Sequence, residues 1–276
     1  MTPIVSSSWL AQHLGEPDLV VADMRWYLDR PGAGREGYEK GHIPGAVFCD
    51  LDGDINGREG PGRHPLPERS QFQLAMRELG VSAGDRVVAY DDAGGSIVAR
   101  LWFLLRYFGH PPDSVAVLDG GLQAWAGALE PGLVTRPPGD FAAGEPHRDW
   151  VVTFDDVRRL PPDQVLLDAR THERYTGALE PTGVRAGHIP GALSAPWAGN
   201  LGPDGRFKSP AELRRRFGEL GADGGNTVTY CGSGVTSAHD LLALELAGLP
   251  GARLYVGSWS DWAVRPDAEI AVGEAP

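Results

Sequence analysis

The sequence predicts an α/β protein made of two tandem domains, each a mostly parallel sheet flanked by helices on both faces. Three observations predict it. The chain repeats itself, short apolar strands alternate with amphipathic helices in each copy, and the strands run into Gly-rich turns that open helices.

The repeat is the strongest of the three. Gly41-His42-Ile43-Pro44-Gly45-Ala46 returns 146 residues later as Gly187-His188-Ile189-Pro190-Gly191-Ala192. Val20-Val21-Ala22-Asp23-Met24-Arg25 matches Val165-Leu166-Leu167-Asp168-Ala169-Arg170, and Val87 to Tyr90 matches Thr227 to Tyr230. Trp125, after Asp119-Gly120-Gly121, matches Trp262, after Gly257-Ser258. Four blocks in one order, with a slowly drifting offset, mean one domain copied and then trimmed in its loops.

The elements follow in chain order. Ser6 and Thr153 occupy matching helix N-cap positions, and Thr153 with Asp156 has the spacing of a capping box. The apolar runs Leu19 to Ala22 and Val165 to Leu167 read as buried strands after those first helices. A second matched pair of strands is expected at Arg86 to Tyr90 and Thr227 to Tyr230, with helices at Ile97 to Phe108 and Thr236 to Ala247. A further strand, Arg253 to Val256, precedes Trp259 and Trp262. Pro131 to Trp150 is broken by Pro-Gly pairs and reads as an extended linker. The expected division is residues 1–135 as the first domain, 136–149 as linker and 150–276 as the second.

Bulk properties remove several functions. With 25 Lys+Arg against 37 Asp+Glu the net charge is −12, which argues against nucleic acid or an anionic membrane as partner. No apolar run reaches the ~20 residues of a membrane span. Met1 to Leu14 has neither a basic start nor a continuous apolar stretch, so a cytoplasmic location is expected. Two cysteines, Cys49 and Cys231, form neither a disulfide framework nor a metal-ligand pattern. No metal or organic cofactor is expected.

Cys231 carries the chemistry. It follows the strand ending at Tyr230 and precedes a helix, the end of an open α/β sheet where ligands bind. Gly232 and Gly234 let the backbone curl so that its N–H groups face one point, which favours thiolate over thiol. Cys49 sits in an apolar stretch and reads as a packing residue.

The duplication, the two Gly-His-Ile-Pro-Gly-Ala blocks and the loop Cys231-Gly232-Ser233-Gly234-Val235-Thr236 together resemble the two-domain rhodanese-like sulfurtransferases. The loop is most similar to that of the 3-mercaptopyruvate sulfurtransferases, whereas thiosulfate sulfurtransferases usually have Arg and Lys after the cysteine. The resemblance implies a rhodanese fold in each half, with only the second half catalytic. The position matching Cys231 in the first copy is Asp91, which cannot accept a sulfane sulfur, so that domain is expected to form one wall of an interdomain cleft.

The resemblance also implies the remaining site residues. Arg174, ahead of Glu180-Pro181, lies where the family places a substrate-binding arginine, and Arg185 is a second candidate. An arginine fork suits the carboxylate of such a donor. Gly232, Gly234, Val235 and Thr236 complete the binding loop, and Ser233 would join His64 and Asp52 in a proton-handling triad. His42 and His188, and the pairs Asp23/Arg25 and Asp168/Arg170, occur in both copies and read as structural.

The expected reaction moves sulfur from a small anionic donor, 3-mercaptopyruvate, through a Cys231 persulfide to a thiol or dithiol acceptor of thioredoxin-like type, or to cyanide, releasing pyruvate. Thiosulfate as donor is the alternative. A Cys-x5-Arg phosphatase is disfavoured because Ser237 stands where the arginine would be. A pure binding module would normally have lost the cysteine.

Overall fold

The computed structural model describes all 276 residues, Met1–Pro276, and divides into two compact units. The first contains β1 (Ile4–Val5), α1 (Ser7–His13), β2 (Leu19–Asp23), α2 (Ala33–Lys40), β3 (Val47–Phe48), α3 (Arg69–Glu78), β4 (Arg86–Tyr90), α4 (Ala99–Tyr107) and β5 (Val115–Leu118). Its sheet has the order β1-β5-β4-β2-β3, with every pair parallel.

The second unit contains β6 (Val151–Val152), α5 (Phe154–Arg158), β7 (Val165–Asp168), α6 (His172–Thr176), β8 (Ala192–Ser194), α7 (Pro210–Glu219), β9 (Thr227–Tyr230), α8 (Ser237–Leu246), β10 (Arg253–Tyr255) and α9 (Ser258–Trp262). Its order, β6-β10-β9-β7-β8, repeats the first strand for strand, again wholly parallel. A strand in such a sheet is covered on both sides, which explains why Leu19–Asp23 is buried at every position instead of alternating.

The strand expectations at Arg86–Tyr90 and Thr227–Tyr230 match the structure residue for residue, and the others differ by a residue at one end. Ser6 accepts from the Trp9 N–H, and Thr153 and Asp156 form a reciprocal capping box. Helices α4 and α8 are shorter at both ends than their apolar patterns suggest, because those residues belong to turns and caps.

The duplication extends to single hydrogen bonds. Arg25 holds Asp23 through Nε and Nη2 and donates to the Gly41 carbonyl, and Arg170 does the same with Asp168 and Gly187. His42 stacks on Tyr38 and bonds its carbonyl, as His188 does with Tyr175. Tyr90 and Tyr230 accept from the N–H groups of Ile43 and Ile189. These groups tie the Gly-His-Ile-Pro turns to the sheet, and burying them requires such partners.

The segment 136–149, expected as a linker, folds against the first unit through His147. Phe141 is buried and donates its N–H to the Val81 carbonyl, Gly139 donates to Arg77, and Gly144 to Phe108. Burying the Phe141 side chain stabilises the docked segment by about 1.5–3 kcal/mol, and the backbone hydrogen bonds add to it. Two short segments group away from their sequence neighbours, Arg58–Leu66 with the second unit and Asp204–Arg206 with the first. No helix is long and apolar enough to cross a membrane.

Candidate active site

Strand β9 is central in the second sheet, and Cys231 is the first residue beyond its carboxyl end. The loop that follows is pinned by backbone bonds to the turn into α9: Trp259 N–H donates to the Cys231 carbonyl and Ser260 N–H to that of Gly232. Gly234 has φ +78°, and a Cβ there would stand 2.5 Å from the Val256 carbonyl oxygen, so only glycine permits the curl.

That curl aims donors at the sulfur. The Gly234 N–H points at Cys231 Sγ from 3.2 Å and the Ser237 hydroxyl from 3.4 Å. Burial by itself pushes the thiol up, but hydrogen bonds from the Ser237 and Thr236 side chains and the Ser233 and Ser237 backbone outweigh it, leaving Cys231 below the ordinary thiol value. The other cysteine is the opposite case. Burial and the nearby Asp54 and Asp50 raise the Cys49 thiol well above its ordinary value.

Ser258 also belongs to the site and was not singled out from sequence. It is the only non-glycine residue with positive φ, at 53°. Its Oγ accepts from the Cys231 N–H at 3.2 Å and donates to the Tyr255 carbonyl at 2.8 Å. Backbone strain of this kind persists where surrounding bonds over-determine it.

Arg174, on α6, reaches the loop. Its Nη1 lies 3.2 Å and its Nη2 3.5 Å from the point a Cβ on Gly232 would occupy. Nη2 donates to both oxygens of Glu180, and Nε is buried with no protein partner. Burial pushes Glu180 up, but bonds from Thr182 and Arg174 hold it below the usual carboxylate value, so it remains a counter-charge.

Arg185 lies against the chain leaving α9. Its Nε, Nη1 and Nη2 donate to the carbonyls of Ala263, Ala268 and Arg265. Three of its five N–H donors are engaged in this way.

His64 and Ser233 come together, with Nδ1 and Oγ 2.7 Å apart and both residues buried. They do so because Arg58–Leu66 packs in the second unit: Arg63 N–H donates to Ser260 Oγ at 3.0 Å. Asp52 lies in the first unit, exposed, where its carboxylate accepts from Trp26 Nε1 at 2.7 Å. No group of three or more His, Cys, Asp or Glu side chains is gathered as a metal ion requires.

Ser237, Ser258 and Arg63 are the site groups that sequence reasoning missed. Ser237 carried a usable signal, being a hydroxyl in the first turn of the helix after the cysteine. Ser258 and Arg63 carried none, because their roles depend on distant segments meeting.

Comparison with known proteins gives the family. The rhodanese-like domain family matches twice, over residues 6–128 and 153–265. A Pseudomonas aeruginosa protein named as a probable 3-mercaptopyruvate sulfurtransferase is 43% identical over 281 residues, covering 98% of each chain. A Mycobacterium tuberculosis relative, SseB, bearing a thiosulfate sulfurtransferase name, is 37% identical over 269 residues, covering 95% of this chain and 93% of that one. The solved structure of SseA from Escherichia coli, presented as the rhodanese fold of the 3-mercaptopyruvate enzymes, superposes with a TM-score of 0.82 at 36% identity, covering 94% of this chain and 100% of that chain. With two domain matches in register with the two sheets, the chain belongs to the rhodanese-like family.

Proposed function

We propose that this chain is a 3-mercaptopyruvate sulfurtransferase that carries sulfur as a persulfide on Cys231. One observation carries the reading: a buried sulfur met by the Gly234 N–H and the Ser237 hydroxyl, in a loop with the Arg174 guanidinium beside it. The thiolate attacks the donor sulfur and forms the S–S bond. The C–S pair leaves as pyruvate enolate, which then takes a proton. Arg174 binds the donor carboxylate through its fork. The His64–Ser233 pair supplies the proton path near the developing enolate. A triad completed by Asp52 is part of the proposal.

In the second half-reaction an acceptor thiolate takes the outer sulfur and Cys231 returns as thiolate. The acceptor is proposed to be a thiol or dithiol of thioredoxin-like type, with cyanide as a laboratory substitute. A nucleophilic thiol of this kind suits a reducing compartment, and the cytoplasm is the proposed location.

The test is pyruvate release from mercaptopyruvate by wild type and Cys231→Ser. A loss of about a thousandfold or more is expected for removal of a covalent nucleophile. Equal rates would overturn the assignment. Thiosulfate is the second reading, favoured by the name of the M. tuberculosis relative. It predicts a higher kcat/KM on thiosulfate than on mercaptopyruvate, and the comparison decides between them.

A further inference from the structure

The loop after Cys231 has no charged side chain, since Gly232-Ser233-Gly234-Val235-Thr236 is neutral throughout. Its surroundings are not neutral. The point where a Cβ on Gly232 would stand lies 3.2 Å from Arg174 Nη1 and 3.5 Å from Arg63 Nη2. Two guanidinium groups from separate segments therefore converge on the residue next to the nucleophile. Arg174 has Glu180 beside it, and Arg63 comes from an exposed position.

The segment that brings Arg63 there is held firmly. Gly62 has φ +77°, and a Cβ on it would lie 2.4 Å from the Gly257 carbonyl oxygen, so the chain runs in contact with the turn before α9. The Arg63 N–H is bonded to Ser260 Oγ and the next side chain, His64, to Ser233 Oγ. Arg63 is thus fixed on both sides of its own Cα by contacts to the Cys231 loop and its support. A free surface arginine would lose more in entropy than it gains, but here the backbone is already ordered.

We infer that Arg63 is a donor-binding residue, supplying in space the positive charge that the loop lacks in sequence and favouring donors in proportion to their negative charge. This rests on the reading that Cys231 takes sulfur from an anionic donor. Two unit charges about 5 Å apart in a water-like medium attract by an amount worth about fourfold in binding for a monoanion, and about tenfold or more for a dianion. Arg63 consequently helps thiosulfate more than mercaptopyruvate, and it narrows the difference between the two donors that a neutral loop alone would create.

The experiment uses the full chain and two thiol reagents of nearly equal size, iodoacetate and iodoacetamide, with alkylation at Cys231 located by mass spectrometry. Arg63→Gln is expected to lower the ratio of iodoacetate to iodoacetamide rates by about fourfold, and Arg63→Lys to restore most of it. In steady state, Arg63→Gln should raise KM more than it changes kcat, with the larger rise on thiosulfate. An unchanged reagent ratio in Arg63→Gln overturns this inference alone. A wild-type Cys231 that reacts with neither reagent overturns the nucleophile as well.

Discussion

At the end of β4 the chain places Asp91, and at the end of β9 it places Cys231, in loops of the same descent. Both are buried, and the backbone behind each is tied the same way: the Leu122 N–H donates to the Asp91 carbonyl as the Trp259 N–H does to that of Cys231. The difference lies in what fills the curl. Asp91 takes four backbone N–H groups on its own carboxylate, those of Ala93 and Gly95 on one oxygen and of Ile97 and Val98 on the other. The first loop therefore satisfies itself. The second presents a sulfur that is larger and more polarisable, held by the Gly234 N–H and by a hydroxyl from Ser237, where the first copy has Ile97. One nest has become a structural lock while the other keeps its electrostatic field for a nucleophile.

A second contrast lies just behind the loops. The position that turns left-handed in the first copy is Gly121, at φ +58°, where a Cβ would be 2.4 Å from the Asp91 carbonyl oxygen. In the second copy that position is Ser258, at φ 53°, and its hydroxyl accepts from the Cys231 N–H. The Cys231 copy accepts a strained non-glycine residue that secures the backbone of that cysteine, and the other copy has the residue that relaxes there.

The largest test of the comparison is stability. Asp91→Ala strands four buried N–H groups and should cost about 4 kcal/mol in urea unfolding, while Cys231→Ala should cost about 1 kcal/mol. Equal losses would mean that the two loops are not divided into lock and site.

Next in size is Ser258. Ser258→Ala keeps the strain and removes the acceptor for the Cys231 N–H, for an expected loss of about 2 kcal/mol. Ser258→Gly also loses the acceptor but relieves the backbone, and should fall within about 1 kcal/mol of wild type. The glycine variant proving the less stable of the two would end the strain argument.

The smallest expected effect is a pH shift at the sulfur. Cys231 is held below the ordinary thiol value, so in the interval between the two the folded chain carries a thiolate while the unfolded chain carries a thiol. The stabilisation is complete above the ordinary value and is lost as pH falls through the folded one. Ser237→Ala removes a donor to the thiolate, so the midpoint of iodoacetamide alkylation should move upward. A midpoint that stays in place would assign the lowering to the Thr236 side chain and the backbone donors.

Much of this architecture could be read before folding. The repeat fixed two copies of one domain because copied blocks preserve order, and the strands ending at Tyr90 and Tyr230 were bounded by glycines that stop a strand abruptly. The docking of residues 136–149 was not legible, because Pro and Gly describe only the local chain, whereas Phe141 is buried by residues distant in sequence such as Phe72. Arg174 was singled out through its neighbours in the motif, and the fold sets it beside Gly232. The three carbonyls that Arg185 meets could not be read beforehand, because carbonyls leave no mark in the sequence.

By itself, then, the sequence determined the duplicated parallel α/β plan, the position of Cys231 at a strand end and the loss of that thiol at Asp91. Those depend on periodicity and on residue identity at one position. Tertiary structure alone decided which donors meet the sulfur, how Ser258 supports it, and that His64 and Arg63 reach the Cys231 loop from a segment about 170 residues earlier in the chain, the separation recorded for the His64–Ser233 contact being 169. A hydrogen bond or a field at a thiolate depends on distance in space, and only the folded chain sets that distance.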